Sequence, residues 1–209
     1  MFRMTKGTLL LALVWVLVIA LTWLFITTKR NNYQSDPLSA MRPVATPVEP
    51  HSLSLQNGVT LSTAHLRGKW TFLFFGYTYC PDICPTTLAR LTGVANELET
   101  VGWNDNEYQV MFVSIDPERD TLDHIDRYLE YFDSRFIGAT AEDENLTEFA
   151  KQFGATYYRA DSTSPDSYLM AHTSSIFLID PKGRYVATFS PPHDHKHIAA
   201  EFQKIIDLI

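Results

Sequence analysis

Hydrophobic and polar positions divide the chain into three unequal stretches. Thr8 to Ile26 is a run of 19 residues with no charge and no polar face, dominated by Leu, Val, Ile and Trp. At ~1.5 Å rise per residue it would span roughly 28 Å as a helix, close to the ~30 Å hydrocarbon layer of a bilayer. A cleavable signal peptide has a shorter apolar region, about 7–15 residues, followed by a small-x-small site. Thr27-Thr28-Lys29-Arg30 offers no such site, so residues 1–30 read as an uncleaved membrane anchor with 8–26 as its span. Residues 31–51 carry four prolines and few large apolar side chains. Such a segment cannot bury enough surface to offset the entropy of ordering it, and it reads as a semi-extended linker.

From Ser52 to Ile209 the pattern is that of a folded domain. Leu53 and Leu55, then Asn57-Gly58, then Val59 and Leu61 predict a β-hairpin. Trp70–Phe75 is a near-continuous apolar run, expected of a central strand covered on both faces. Leu88, Leu91, Val94, Ala95 and Leu98 recur at helical spacing, predicting a helix from Pro85 to about Gly102, with proline at the first helical position. A strand over 108–115 and a helix capped by Asp120 or Thr121 follow. Then come a short strand at 136–138, a helix over 142–153, a loop over 159–167, a hairpin of strands 174–179 and 185–189, and a closing helix over 198–208. This alternation predicts an α/β fold, a mixed sheet flanked by helices with an N-terminal β-hairpin and the N-terminal transmembrane helix; a cysteine pair between the first buried strand and its helix makes it thioredoxin-like by analogy.

Charge narrows the partners. The chain has 17 basic and 24 acidic side chains, and four of the basic ones but none of the acidic lie in the first 30 residues. The remainder therefore stands at 13 against 24, a net of −11. Nucleic acid needs a basic face and is excluded on this ground. Arg3 and Lys6 before the span balance Lys29 and Arg30 after it, so flanking charge does not choose an orientation.

The chemistry is concentrated between the first buried strand and its helix. Cys80 and Cys84 are the only cysteines, four residues apart at a strand–loop–helix junction. That spacing can bring both sulfurs to one point, and a helix N-terminus favours thiolate over thiol. Such a pair can form a disulfide or bind a metal, and two thiolates alone do not complete a metal site. His51 falls in the linker, His65 in a turn and His124 on the polar side of its helix. His172 stands at the end of a long loop just before an apolar strand. In thioredoxin-like folds that position faces the cysteine loop, so it is the candidate third ligand, though position alone leaves this open. His193, His195 and His197 alternate in a short tract, which reads either as a secondary metal site or as a loop and first helical turn capped by Asp194. Asp116 and Arg119 to Thr121 read as site-lining residues or as a cap with an internal ion pair.

Three blocks carry a family resemblance. Gly76-Tyr77-Thr78-x-Cys80-Pro81-Asp82-x-Cys84-Pro85 resembles the signature of the Sco/SenC family, membrane-anchored copper proteins used in cytochrome c oxidase assembly. Ser114-x-Asp116-Pro117-x-Arg119-Asp120-Thr121 resembles its second block. Tyr168-x-x-x-His172-Thr173-Ser174, followed by Ile179-Asp180-Pro181-x-Gly183, resembles the third. The match covers about residues 52–209. The resemblance implies that Cys80, Cys84 and His172 bind copper. Donor chemistry agrees, since thiolates suit Cu(I) and imidazole suits either oxidation state, whereas zinc normally takes a fourth ligand. Ala171 is a departure, because the family commonly has an acidic residue there.

The function implied is a copper chaperone that delivers copper to, or prepares, the binuclear copper site of a cytochrome c oxidase subunit. It implies a single pass through the inner (cytoplasmic) membrane with the domain on the periplasmic side, and the lack of a recognisable transit peptide favours a bacterial setting. A thiol–disulfide reductase needs the same cysteines but not His172. A peroxidase is disfavoured, because Pro81 stands where the peroxiredoxin cysteine loop expects threonine.

Overall fold

The computed structural model describes the backbone of residues 6–33, 40–160 and 168–209, and the side chains of these except 6, 8–12 and 28–33. The chain divides into two compact units, Met1–Asp36 and Pro37–Ile209. The first contains one helix, α1 (Lys6–Tyr33), on which the side chains of residues 13–26 are exposed. Among the described residues no helix is long and apolar enough to cross a membrane.

The second unit is built around the apolar run Trp70–Gly76 (β3), every residue of which is buried. Its parallel neighbour is Tyr108–Ser114 (β4), which pairs in parallel with Ile137–Thr140 (β5). On its other side β3 pairs antiparallel with Ile176–Ile179 (β8), which forms a hairpin with Arg184–Phe189 (β9). With Met41–Pro47 (β1) and Ser54–Leu55 (β2) at the edges, the sheet order is β1-β9-β8-β3-β4-β5-β2, a mixed sheet as predicted.

Side chains of β3 alternate between two covered faces. Phe72 meets Phe202 of the closing helix α5 (His195–Leu208) at 5.0 Å between ring centroids. Phe75 points the opposite way and meets Phe149 of α4 (Asp143–Lys151) at 6.0 Å. Helix α2 (Ile83–Thr100) packs with α5, and α3 (Leu122–Glu130) sends Tyr128 onto Phe112 of β4. Thr121 caps α3 by accepting from the His124 N–H.

Four local expectations are corrected. Helix α2 starts at Ile83 rather than Pro85, so the proline is its third residue. The cost is small, because the first four N–H groups of a helix have no intrahelical partner. Residues 41–47, expected within the linker, form edge strand β1, antiparallel to β9. Val48 is buried beside it and donates its N–H to Gly183 O at 2.9 Å, while Arg42 stacks on Tyr185 at 4.2 Å. An edge strand tolerates proline, which is why this composition concealed it. The Asn57-Gly58 turn forms, with Leu55 N–H donating to Val59 O at 2.8 Å and Gly58 at φ 78°. Its return arm makes a single bridge, Thr60 to Ser54, and β2 pairs instead with β5.

The fourth correction concerns the loop expected over 159–167, of which 161–167 lies outside the described residues. Tyr157–Arg159 (β6) pairs antiparallel with Met170–His172 (β7), making a two-stranded arm separate from the main sheet. His172 therefore ends a strand of that arm, rather than leading directly into β8.

Because β1 and Val48 complete the β9 edge, a fragment of residues 37–209 is predicted to be more stable than one of residues 52–209. Loss of the buried Val48 side chain alone costs about 1.5–3 kcal/mol. A domain of this size shifts by about 2–4 °C per kcal/mol, so thermal melts of the two fragments should differ by at least several degrees. Equal melting temperatures would return residues 41–48 to the linker.

Candidate metal centre

The segment from Tyr77 to Asp82 connects β3 to α2 and is held from below by one buried acid. Asp120, fully buried, accepts from Thr78 N–H at 2.9 Å, Thr78 Oγ1 at 2.5 Å and Ser114 Oγ at 2.5 Å. A carboxylate in such a place is tolerable because hydrogen-bond donors surround it. Sequence reading gave Asp120 a possible capping role. In the structure Thr121 caps, and Asp120 ties the cysteine loop to the end of β4.

Both cysteines are buried and unbridged. Cys80 precedes α2 and Cys84 is in its first turn, where the Cys84 N–H donates to Cys80 Sγ at 3.4 Å. The Cys84 thiol, beside Cys80 Sγ, holds the Cys80 thiol far below its ordinary value, at about 3. The backbone N–H groups of Asp82 and Cys84 add to that stabilisation, against the opposing effect of burial. Cys84 moves the other way, because it donates to Cys80 and is buried. The pair is thus asymmetric, with Cys80 the more acidic thiol and Cys84 the less.

His172 comes from the arm. Its Nε2 lies 3.4 Å from Cys84 Sγ, across 88 positions of sequence. Its Nδ1 lies 3.0 Å from Thr173 O and donates to it, which assigns the tautomer and leaves the Nε2 lone pair facing the sulfurs. The ring sits edge-on to Phe74 at 6.0 Å and to Tyr77 at 6.1 Å. The ligand atoms of Cys80, Cys84 and His172 all lie within 4.8 Å of one another, a group of three able to hold an ion. Two sulfurs and an imidazole nitrogen fit a soft or borderline metal. Because the Thr173 carbonyl already orients the ring, Ala171 does not leave the histidine unguided.

Gly76 makes the approach possible. A Cβ there would lie 2.8 Å from Phe112, 3.0 Å from Cys84 Sγ and 3.1 Å from Phe74. In the sequence Gly76 stands out only as part of the cysteine motif, and nothing there marks this steric role.

The arm is pinned beside the cysteine loop by a side-chain network. Tyr168 Oη donates to Asp116 Oδ1 at 2.6 Å, and Arg119 pairs with Asp116 Oδ2 at 2.5 Å. Arg119 also donates to Tyr168 O at 3.1 Å and stacks between Tyr168, at 3.5 Å, and Tyr79, at 4.8 Å. The Asp116–Arg119 pair is therefore internal, as one reading of the sequence had it, and it serves the arm. Tyr168 had no assigned role. Its signal was a tyrosine four residues before the candidate histidine.

The other histidines are placed elsewhere. His65 Nδ1 accepts from Ser62 N–H at 3.0 Å, and His124 sits edge-on to Tyr79. His195 lies 3.7 Å from Glu97, and His197 lies 3.4 Å from Glu201. His193 bonds Ser174 O, and Asp194 caps α5 by accepting from His197 N–H at 2.9 Å. The tract is thus a loop and first helical turn. Among the described residues it forms no group of three metal donors.

Residues 39–207 match the family model described as SCO1/SenC. An SCO2-like protein of Rickettsia prowazekii is 34% identical over 141 residues, 67% of this chain and 67% of the relative. The mitochondrial SCO1 homolog 1 of Arabidopsis thaliana is 32% identical over 145 residues, 69% of this chain and 42% of the relative, so the match spans less than half of that longer protein. Among solved structures, Arabidopsis thaliana ScoI with copper bound superposes with a TM-score of 0.71 at 29% identity, covering 79% of this chain and 99% of the other. Bradyrhizobium japonicum ScoI with copper bound gives 0.66 at 31%, covering 76% and 99%. The folded unit with its dithiol–imidazole cluster is thioredoxin-like, and the chain belongs to the SCO1/SenC family.

Proposed function

We propose that this chain is a membrane-tethered copper chaperone. Cys80, Cys84 and His172 hold the copper, which is delivered to, or used to prepare, the binuclear copper site of cytochrome c oxidase. The observation that carries this reading is the convergence of two sulfurs and one imidazole nitrogen within 4.8 Å, with Nδ1 of the ring already engaged. Copper here is cargo. Three protein donors leave coordination open to a ligand from the acceptor, so transfer proceeds by stepwise ligand exchange without turnover. Loading requires Cys84 to give up its proton, and copper binding therefore releases protons and weakens as pH falls. The tether is assigned to residues 8–26 on the sequence's run of 19 uncharged residues alone, since no described helix is itself long and apolar enough to cross a membrane. Delivery to an oxidase site outside the cytoplasm requires the domain on the periplasmic side.

A second reading, a thiol–disulfide reductase acting on the cysteines of an oxidase subunit or another exported protein, is favoured by the asymmetry of the pair. Cys80, as thiolate, would attack a partner disulfide, and Cys84 would resolve the mixed disulfide, leaving Cys80–Cys84 oxidised and the partner reduced. That reaction makes no use of His172.

Copper titration of residues 37–209 separates the two. Cys80→Ser and Cys84→Ser should abolish tight binding, and His172→Ala should weaken it by more than about 100-fold, beyond the range seen for outer-shell changes. Unchanged copper binding in His172→Ala, together with disulfide reduction by the wild type, would favour the reductase. Gly76→Ala should cost about 1–3 kcal/mol in denaturant unfolding and displace Cys84, weakening copper binding as well. A neutral result would refute the close approach described for Gly76. In the metal-free protein, alkylation of Cys80 by iodoacetamide should persist as pH falls from about 8 to about 5, because a lowered pKa keeps the thiolate present down to that value. Cys84, shifted upward, should stay unlabelled, and equal labelling read by peptide mass would contradict the assignment.

A further inference from the structure

His193 belongs to the histidine tract that the copper reading leaves unused, and its ring reaches the loop that carries His172. Its backbone is fixed between the end of β9 and the Asp194 cap of α5. From there Nε2 lies 2.8 Å from Ser174 O and donates to it. The ring is half-buried, its Nδ1 is buried with no hydrogen-bond partner among the described residues, and burial lowers its basicity.

Ser174 lies in the short crossover 173–175 between β7 and β8, two residues from His172. Successive carbonyls of that crossover are held by imidazoles: Thr173 O receives His172 Nδ1, and Ser174 O receives His193 Nε2. On the arm side, Thr173 N–H donates to Thr156 O at 2.9 Å, and Thr156 N–H donates to Thr173 Oγ1 at 3.0 Å. The crossover is therefore clamped from two directions, by Thr156 just before β6 on one side and by His193 on the other. The orientation of the Thr173 carbonyl, which sets the tautomer and direction of the His172 ring, depends on both clamps.

We propose that His193 is a positioning residue for the metal centre: through Ser174 O it fixes the crossover so that His172 Nε2 faces Cys84. The inference rests on the copper reading for its consequence, and on the hydrogen-bond geometry alone for its cause. It also explains why this tract departs from a metal site. His193 presents its protonated nitrogen to a carbonyl, and its neighbours His195 and His197 turn to Glu97 and Glu201.

The test compares His193→Leu, which removes the donor, with His193→Gln, whose side-chain amide reaches about as far as Nε2 and can still donate. Imidazole nitrogen NMR of the metal-free domain is the readout that needs no copper. Wild type and His193→Gln should show His172 in the single Nδ1–H tautomer, and His193→Leu should show averaging between tautomers. With Cu(II), His193→Leu should bind about tenfold more weakly, the lower end of the range for groups that orient metal ligands, and His193→Gln should restore binding. In a His172→Ala background, His193→Leu should add nothing further. A His193→Leu protein with wild-type His172 spectra would overturn the proposal, as would a full additive loss in the His172→Ala background. Failure of the wild type to bind copper would remove the function proposed above, and the metal-free spectra would still decide the role of His193.

Discussion

The site depends on the meeting of Cys84 Sγ and His172 Nε2 at 3.4 Å, because among the described residues the two come from parts of the fold that share no backbone hydrogen bonds. One is set by the junction of the central strand with its helix. The other is set by a two-stranded arm outside the main sheet. The meeting needs an empty Cβ position at Gly76 on one side and a held crossover on the other. Burial makes it consequential, since a thiolate and a thiol removed from water settle their charge between themselves and with the imidazole.

The core and the site contribute differently to this. Apolar runs such as Trp70–Gly76 fix the position of the cysteine loop to the sheet by bulk packing, with no need for any single polar contact. The arm has little core of its own. It is located by discrete groups: Tyr168 on Asp116, and Arg119 stacked between Tyr168 and Tyr79. A site with two donors on a packed element and one on a polar-pinned arm is suited to a cargo metal, because the third donor can be altered without disturbing the fold.

This division explains what could be read from the chain alone. The central strands and main helices were legible because burial writes itself as a run or a period, as in Trp70–Phe75 or in Leu88, Leu91, Val94 and Leu98. The cysteine pair was legible because no other cysteine competes with it. Strand β1 was hidden, since an edge strand needs few apolar residues and accepts Pro43 and Pro47. The arm was hidden for a related reason: β6 and β7 pair through backbone groups and are held by polar side chains, which carry no periodic signature. His172 was found from its place before an apolar strand. The ties that aim it are the backbone carbonyls of Thr173 and Ser174 and the His193 imidazole that holds the second, and no periodic pattern marks them in a sequence.

The claim at the centre is that copper is held by two sulfurs and one imidazole nitrogen. X-ray absorption at the copper edge of the loaded domain tests it most directly. The account predicts two sulfur scatterers and one nitrogen showing the outer-shell pattern of an imidazole ring, with that pattern absent from His172→Ala. A spectrum with sulfur alone, or with imidazole scattering that survives in His172→Ala, would contradict it.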